Sequence, residues 1–140
     1  MYNQKLMEIF KNPLNAGGLQ GANGTAKLAY LDGAYVVKFY VFVNENGIIE
    51  NARFKTMGSA NLIAVSSIVA GLMIGKTVDE AEAIATLDIL EVAQMTANDM
   101  DSHFIDECGY VMETMFYAIQ DYKIRKEKEE KAKEEESKKS

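Results

Sequence analysis

In residues 35–43, one set of positions, Tyr35, Val37, Phe39, Val41 and Val43, alternates with Val36, Lys38, Tyr40 and Phe42, and this pattern predicts a β-strand. Branched and aromatic residues dominate the segment, and both kinds favour strands. Lys38 is the one charged residue of the segment.

Turn signals on either side of this segment predict two further strands. A turn that includes Gly47 leads to a strand at residues 48–56, because an Asn-Gly pair can adopt positive φ. An earlier strand, at about residues 25–31, is predicted to pair with the central one through a turn at Gly33. The pattern therefore predicts a three-stranded antiparallel meander.

Helical spacing replaces alternation in the rest of the chain. Residues 2–11 have an apolar face and predict a short amphipathic helix, which ends before Pro13 because proline disfavours the α conformation of the residue preceding it. Residues 59–75 are small and apolar nearly all round, which is typical of a helix buried against a sheet.

Capping signals divide the second half of the chain. Thr77 and Glu80 predict a capping box, and Asp88 and Glu91 predict a second one. A final helix is predicted from an apolar stripe. We therefore predict an α+β fold, with an N-terminal helix and about four more helices packed on one face of the sheet. The apolar stripe of the final predicted helix consists of Ile105, Cys108, Val111, Met112, Met115, Phe116, Ile119 and Tyr122.

The chain has 140 residues, and its charge is divided unevenly along them. Residues 1–122 hold seven basic and fifteen acidic residues, a net charge of −8. Residues 123–140 hold eight basic and six acidic residues, a net charge of +2, with one isoleucine and no aromatic residue. The second part cannot bury a face. We predict one domain over residues 1–122 and a charged tail, a frayed helix or disordered, over residues 123–140.

Acidic residues dominate the middle of the chain: eleven Asp or Glu residues and no Lys or Arg lie between Lys76 and Lys123. This acidic composition argues against nucleic-acid binding, because the phosphate backbone requires clustered cations. It suits a solvated surface, a basic partner or a cation. No apolar run approaches the ~20 residues of a membrane span, and the N-terminal segment lacks the order of a signal peptide. We therefore expect a cytoplasmic protein without membrane or nucleic-acid partners.

Residue types that carry chemistry are scarce: the chain has one cysteine, Cys108, and one histidine, His103. A single cysteine excludes an intramolecular disulfide, a CxxC redox pair and an all-cysteine metal site within one chain. Ser66 and Ser67 lie in an apolar predicted helix, where serine more often bonds the preceding turn than attacks a substrate. We therefore predict that the protein is not an enzyme.

Four short segments carry motifs: NPLNAG at 12–17, GIIENARFKTMG at 47–58, IAVSSIVAGLMIGKTVDEAEAI at 63–84 and AIQDYK at 118–123. Together they resemble the iron–sulfur cluster assembly scaffold family of the IscU type, also found as the N-terminal domain of NifU. The resemblance spans most of residues 1–123. It implies the same α+β fold and a role in iron–sulfur cluster assembly.

In that family three cysteines hold a [2Fe–2S] cluster, which is later transferred to recipient proteins. Thiolates suit iron because they are soft, strongly donating ligands. The same cysteines receive sulfur from a cysteine desulfurase. The resemblance therefore implies iron binding, and a cysteine desulfurase or another iron–sulfur assembly protein as partner.

This chain departs from the family at the cluster ligands. The position of the second cysteine is Ser59. Counting back from the strand motif places the first at Gly33, or at Asp32 after a slip of one residue. Counting back from the D-Y-K ending places the third at Glu107, next to Cys108, which is the candidate for a surviving third cysteine.

Three interpretations of the site remain open, as does the question of whether Cys108 is exposed. A [2Fe–2S] cluster is not expected to be held in the usual way, because it needs about four ligands, mostly thiolates. A single Zn²⁺ or Fe²⁺ ion is a second possibility. An interaction or regulatory module that binds a cysteine desulfurase or assembly partner, and that could form a homo-oligomer, is a third. The candidate metal ligands are Asp32, His103, Asp106, Glu107 and Cys108.

Overall fold

The computed structural model describes residues 3–139, and its centre is a three-stranded antiparallel sheet. The strands are β1 (Gly24–Tyr30), β2 (Tyr35–Val43) and β3 (Ile49–Met57), in the order β1-β2-β3. The predicted meander is confirmed, and each strand end lies within one residue of its predicted position. Both predicted turns join consecutive strands.

The two faces of the sheet differ in burial because side chains alternate along each strand. On the inner face, Val37, Phe39 and Val41 of β2 are buried together with Ala52 and Phe54 of β3. The register places Phe39 opposite Phe54 and Val41 opposite Ala52, so these side chains form rows across the sheet. The outer face carries Lys38, Tyr40 and Phe42 of β2, and none of the helices between residues 3 and 139 covers it.

Helices cover the inner face of the sheet. In the described part of the chain, α2 packs against β3, α5 packs across β1 and β2, and α1 lies against α2. The α+β fold with helices on one face is therefore as predicted. The predicted start of the first helix at Tyr2 lies outside the described residues. The helices are α1 (Gln4–Lys11), α2 (Ala60–Met73), α3 (Val78–Glu82), α4 (Thr86–Ala93) and α5 (Ser102–Lys139), with a 3₁₀ turn at Ala97–Asp99.

Local capping sets where α3 and α4 begin. Thr77 and Glu80 form the predicted capping box, with a bond of 2.9 Å from the Thr77 amide to the Glu80 carboxylate and one of 3.1 Å in return. The second predicted box, with Asp88 as its cap, is wrong. Helix α4 begins at Thr86, so Asp88 lies in its first turn, where its carboxylate accepts a hydrogen bond of 2.8 Å from the Ala85 amide.

The predicted apolar stripe of α5 is rotated slightly from its expected position. Phe104, Cys108 and Met115 are buried, whereas Ile105 and Phe116 are 52% and 42% exposed. Positions spaced alternately by three and four residues stay on one side of a helix. The line that faces the sheet passes through Phe104, so its neighbour Ile105 turns toward solvent.

Beyond Tyr122, α5 continues as an exposed helix to Lys139. Glu127 pairs with Lys131 at 3.1 Å, and a similar pair follows two residues later. Pairs at this spacing support a solvated helix. Among residues 3–139, no helix is long and apolar enough to cross a membrane.

Candidate functional site

The first candidate position lies in the turn between β1 and β2. Asp32 and Gly33 both adopt positive φ, at 54° and 88°, and both are exposed. The Gly33 amide closes the turn by donating to the Tyr30 carbonyl at 3.1 Å. A Cβ added at Gly33 would meet no atom within 4 Å, so the tip of this turn is open to solvent.

The second candidate position, Ser59, caps α2. Its hydroxyl oxygen accepts a hydrogen bond of 3.1 Å from the Leu62 amide, which satisfies one of the free donors at the start of the helix. The preceding residue, Gly58, has φ of +152° and packs closely against Tyr35 and Leu62, and a Cβ there would come within 2.8 Å of Leu62. This close approach fixes where the cap lies beside β2.

The third candidate position, Glu107, contacts the second. The Ser59 hydroxyl donates a short hydrogen bond to the Glu107 carboxylate, although the two residues are 48 positions apart in the chain. Glu107 is only 4% exposed, so its carboxylate depends on a protein partner. The bond joins the start of α2 to the first turns of α5.

Cys108 faces the other way, into the core. Its side chain is fully buried. Burial raises the pKa of the Cys108 thiol to about 12, and the neighbouring charge of Glu107 contributes to the increase. The thiolate is the form that binds metals and attacks sulfur, so this thiol is inert in the folded protein.

The other predicted metal ligands are not gathered around Glu107. His103 and Asp106 are exposed on the first turns of α5, and Asp32 is exposed in the β1–β2 turn. Within residues 3–139, no group of three or more His, Cys, Asp or Glu side chains is placed to hold a metal ion. The ligand set predicted for Zn²⁺ or Fe²⁺ is therefore not assembled in that part of the chain.

Three tyrosines connect the β1–β2 turn to α5. The rings of Tyr30 and Tyr110 stack with centroids 4.1 Å apart, and Tyr35 meets Tyr110 edge-on at 6.4 Å. The Tyr30 hydroxyl also lies 2.8 Å from the Glu113 carboxylate, and burial raises the pKa of this tyrosine. The sequence analysis did not predict this cluster, although Tyr30 and Tyr35 flank the turn symmetrically.

We call the three positions Gly33, Ser59 and Glu107 the site end. They are linked through contacts made by the residues next to them. Tyr35 packs beside Gly58, next to Ser59, and Tyr110 lies one helical turn after Glu107. The site end offers a hydroxyl and a carboxylate already bonded to each other. The only thiol of the chain is enclosed next to it.

Comparison with known proteins agrees with the motifs. The sequence profile of the NifU-like N-terminal domain matches residues 1–129. The chain belongs to this family. It is 33% identical over 129 residues to the iron-sulfur cluster assembly scaffold protein IscU of Escherichia coli (strain K12), covering 90% of this chain and 97% of the relative. The protein of the same name from Aquifex aeolicus (strain VF5) is 34% identical over 122 residues, which cover 86% and 75% of the two chains.

A solved structure has the same fold. The N-terminal part of a nitrogen-fixing NifU-like protein from Brucella abortus superposes with a TM-score of 0.70. The match covers 87% of this chain and 94% of that one, at 16% identity. The resemblance inferred from the four motifs is therefore confirmed, and so is the fold class.

Proposed function

We propose that this protein is a member of the iron–sulfur cluster assembly scaffold family that does not hold a [2Fe–2S] cluster through three thiolates. The observation that carries the proposal is the hydrogen bond between Ser59 and Glu107. These residues stand at the positions assigned by resemblance to the second and third cluster ligands. Polar groups that bond each other there take the place of sulfur donors.

The chemistry of the donors supports this proposal. A [2Fe–2S] cluster needs about four ligands, mostly thiolates. Gly33 has no side chain to offer, and Ser59 and Glu107 supply only oxygen, which suits harder cations better than it suits such clusters. Cys108 is buried, and its raised pKa keeps it protonated at neutral pH.

We infer that the protein acts by binding a partner in the cytoplasm rather than by catalysing a reaction. The relatives named as assembly scaffolds support an iron–sulfur assembly protein as that partner. The cysteine desulfurase implied by the resemblance is the first candidate. The test is the rate of sulfide release by a purified desulfurase at increasing concentrations of this protein. A saturable change in rate supports the inference, whereas an unchanged rate together with no measurable complex contradicts it.

Anaerobic reconstitution tests the absence of a three-thiolate cluster directly. The purified protein is incubated with ferrous iron and a sulfide source, desalted, and examined by visible absorption and by iron and sulfide analysis. We expect no stable chromophore and iron far below one cluster per chain. A stable cluster near one per chain would overturn the proposal.

Restoring the thiolates tests the assignment of positions. The triple variant Gly33→Cys/Ser59→Cys/Glu107→Cys is expected to take up a cluster under the same conditions. The matched double variant Gly33→Cys/Ser59→Cys is expected to remain empty, because its third thiol would have to be the buried Cys108. Circular dichroism establishes that both variants are folded. Equal cluster content in the two would assign the third position to Cys108 instead of Glu107.

A further inference from the structure

We propose that the outer face of the sheet is a docking surface for a protein partner that presents an acidic segment. The surface, here called the basic sheet face, places Lys27, Lys38 and Lys55 side by side around Tyr40, with Arg53 next to them. The proposal uses no residue of the site end. It therefore stands or falls independently of the proposed function.

The register of the sheet aligns the three lysines. Lys27 of β1 lies opposite Lys38 of β2, and Lys38 lies opposite Lys55 of β3, so one lysine from each strand forms a row across the sheet. Like charges directly opposite each other destabilise a sheet. None of the three makes an ion pair within residues 3–139. The row is a concentration of positive charge that no ion pair of the described residues neutralises.

Charge elsewhere in the domain has the opposite sign. Residues 1–122 contain seven basic residues, and four of them are on the basic sheet face. Residues 77–122 contain eleven acidic residues and none that is basic. A local patch of one sign on a body of the other attracts a complementary segment and orients it toward that patch.

The face has a shape that suits a docked segment. A shallow depression of about 360 Å³ lies between the strands, and no Asp or Glu lines it. The ammonium groups of Lys38 and Lys55 lie 4.8 and 5.9 Å from the centre of the Tyr40 ring, so the aromatic ring holds both cations near the depression. Its lining consists of Lys27, Val36, Lys38, Tyr40, Lys55, Thr56 and Met57.

Arg53 adds a fourth cation to this face and carries a donor that the fold leaves unpaired. It lies opposite Tyr40 in the register, on the same face as the lysine row. Its Nε atom is buried and has no hydrogen-bond partner within residues 3–139. Buried donors are normally satisfied, and a carboxylate is the acceptor whose geometry best matches a guanidinium group.

A carboxylate-bearing protein segment fits these observations better than nucleic acid does. Nucleic acid carries one charge for every ~1.7 Å of duplex, and the net negative charge of residues 1–122 repels it as a whole. A short acidic segment meets only the patch itself. Val36 and Met57 add apolar contact area at the edge of the depression, which a peptide also uses.

Fluorescence anisotropy with a labelled oligoglutamate peptide of about ten residues tests the proposal. The titration is made at low ionic strength, where surface charge pairs are strongest. We expect saturable binding to the full-length protein at low salt that weakens as salt is added. In the variant Lys27→Gln/Lys38→Gln/Lys55→Gln the affinity should fall about tenfold or more, the sum of three exposed charge pairs. Thermal melting should show this variant to be at least as stable as the wild type, because a repulsive row has been removed.

The matched control removes three lysines from the exposed end of α5, Lys128→Gln/Lys138→Gln/Lys139→Gln, and should bind the peptide as the wild type does. Three results would overturn the proposal. One is that peptide binding weakens equally in the sheet-face variant and in the α5 control, or that neither variant binds the peptide at all. Another is tighter binding of a single-stranded DNA oligonucleotide than of the peptide. The third is self-association of the wild type at low salt that the first variant loses, because the occupant would then be the acidic surface of a second copy.

Discussion

The interface between the sheet and its helices and the site end of the same domain are built in different ways. The interface consists of large apolar side chains, among them Phe39, Phe54 and Phe104, which are removed from water and packed in rows. The site end consists of an open turn at Gly33 and one polar bond between Ser59 and Glu107. Apolar packing holds the interface together, whereas the site end depends on a turn and on a polar bond.

This difference shows that a fold and the chemistry it carries can change separately. Burial of apolar area provides most of the free energy of folding, and it is located at the interface. Substitutions at the site end therefore need not disturb the frame that the chain shares with its family. The difference also ranks the effects of substitutions, from the interface outward.

Phe39→Ala at the interface is expected to have the largest effect. The side chain is fully buried, so its removal leaves a cavity and should lower the free energy of unfolding by about 3 to 5 kcal/mol. Urea denaturation followed by circular dichroism measures this. The outward-facing Phe42→Ala in the same strand is the control and should cost less than about 1 kcal/mol. Similar losses in the two variants would remove the distinction between the faces.

Ser59→Ala at the site end is expected to cost about 2 kcal/mol, because it removes a helix cap and also leaves the buried Glu107 carboxylate without its partner. Thr77→Ala removes a cap of the same kind at α3 with no buried partner, and should cost about 1 kcal/mol. The comparison is again made by urea denaturation. Equal losses in the two variants would mean that the bond to Glu107 contributes nothing to stability.

The pH dependence of stability is expected to show that Cys108 belongs to the buried interface, although its neighbour Glu107 belongs to the site end. Burial raises the pKa of Cys108 to about 12, so from pH 9 upward the unfolded chain loses this proton while the folded chain keeps it. The contribution of Cys108 to the free energy of unfolding should therefore be constant below pH 8 and fall by about 1.5 kcal/mol between pH 8 and pH 10.

The variant Cys108→Ala is the control for this measurement, and its stability should fall less over the same range. The same experiment includes thiol labelling with a disulfide reagent, which should be slow in the native state and rapid in denaturant. Rapid labelling of the native protein would place Cys108 with the site end.

Removal of the chain after Arg125 is expected to have the smallest effect. Side chains beyond this residue are exposed, and their ion pairs lie on the surface of the helix. Exposed pairs contribute little, so the melting temperature should change by no more than corresponds to about 0.5 kcal/mol. Truncation after Tyr117 is the matched comparison, because it also removes the buried Ile119 and Tyr122 and should unfold the domain. A large loss from the shorter deletion would extend the domain into the tail.

The fold could be predicted from the sequence to the extent that periodicity reports burial. The alternation in β2 and the glycine turns located all three strands, and the Thr77 box located α3. The cap predicted at Asp88 was wrong because Asp is favoured at the cap and also in the first turn of a helix, so its identity alone does not give its position. Ile105 was predicted to be buried because a neighbour at the edge of an apolar stripe has the same composition as the stripe.

The site could be predicted only position by position. Counting from the motifs named Gly33, Ser59 and Glu107, but the bond between Ser59 and Glu107 joins residues far apart in the chain and leaves no local pattern. The depth of Cys108 was undecided for a related reason. A rotation of about 100° separates it from Glu107 on α5, and only the packing of the helix determines which of the two faces the core.

One unbroken helix, α5, carries Glu107 near its start and the charged tip at Lys139. It advances about 1.5 Å and turns about 100° for every residue, so the tip lies about 50 Å from Glu107 and at a fixed angular phase relative to it. Deleting one residue from the exposed part would rotate everything held at the tip by more than a quarter turn. The exposed part of α5 therefore holds any group at its tip in a set orientation, as well as at a set distance, relative to the domain.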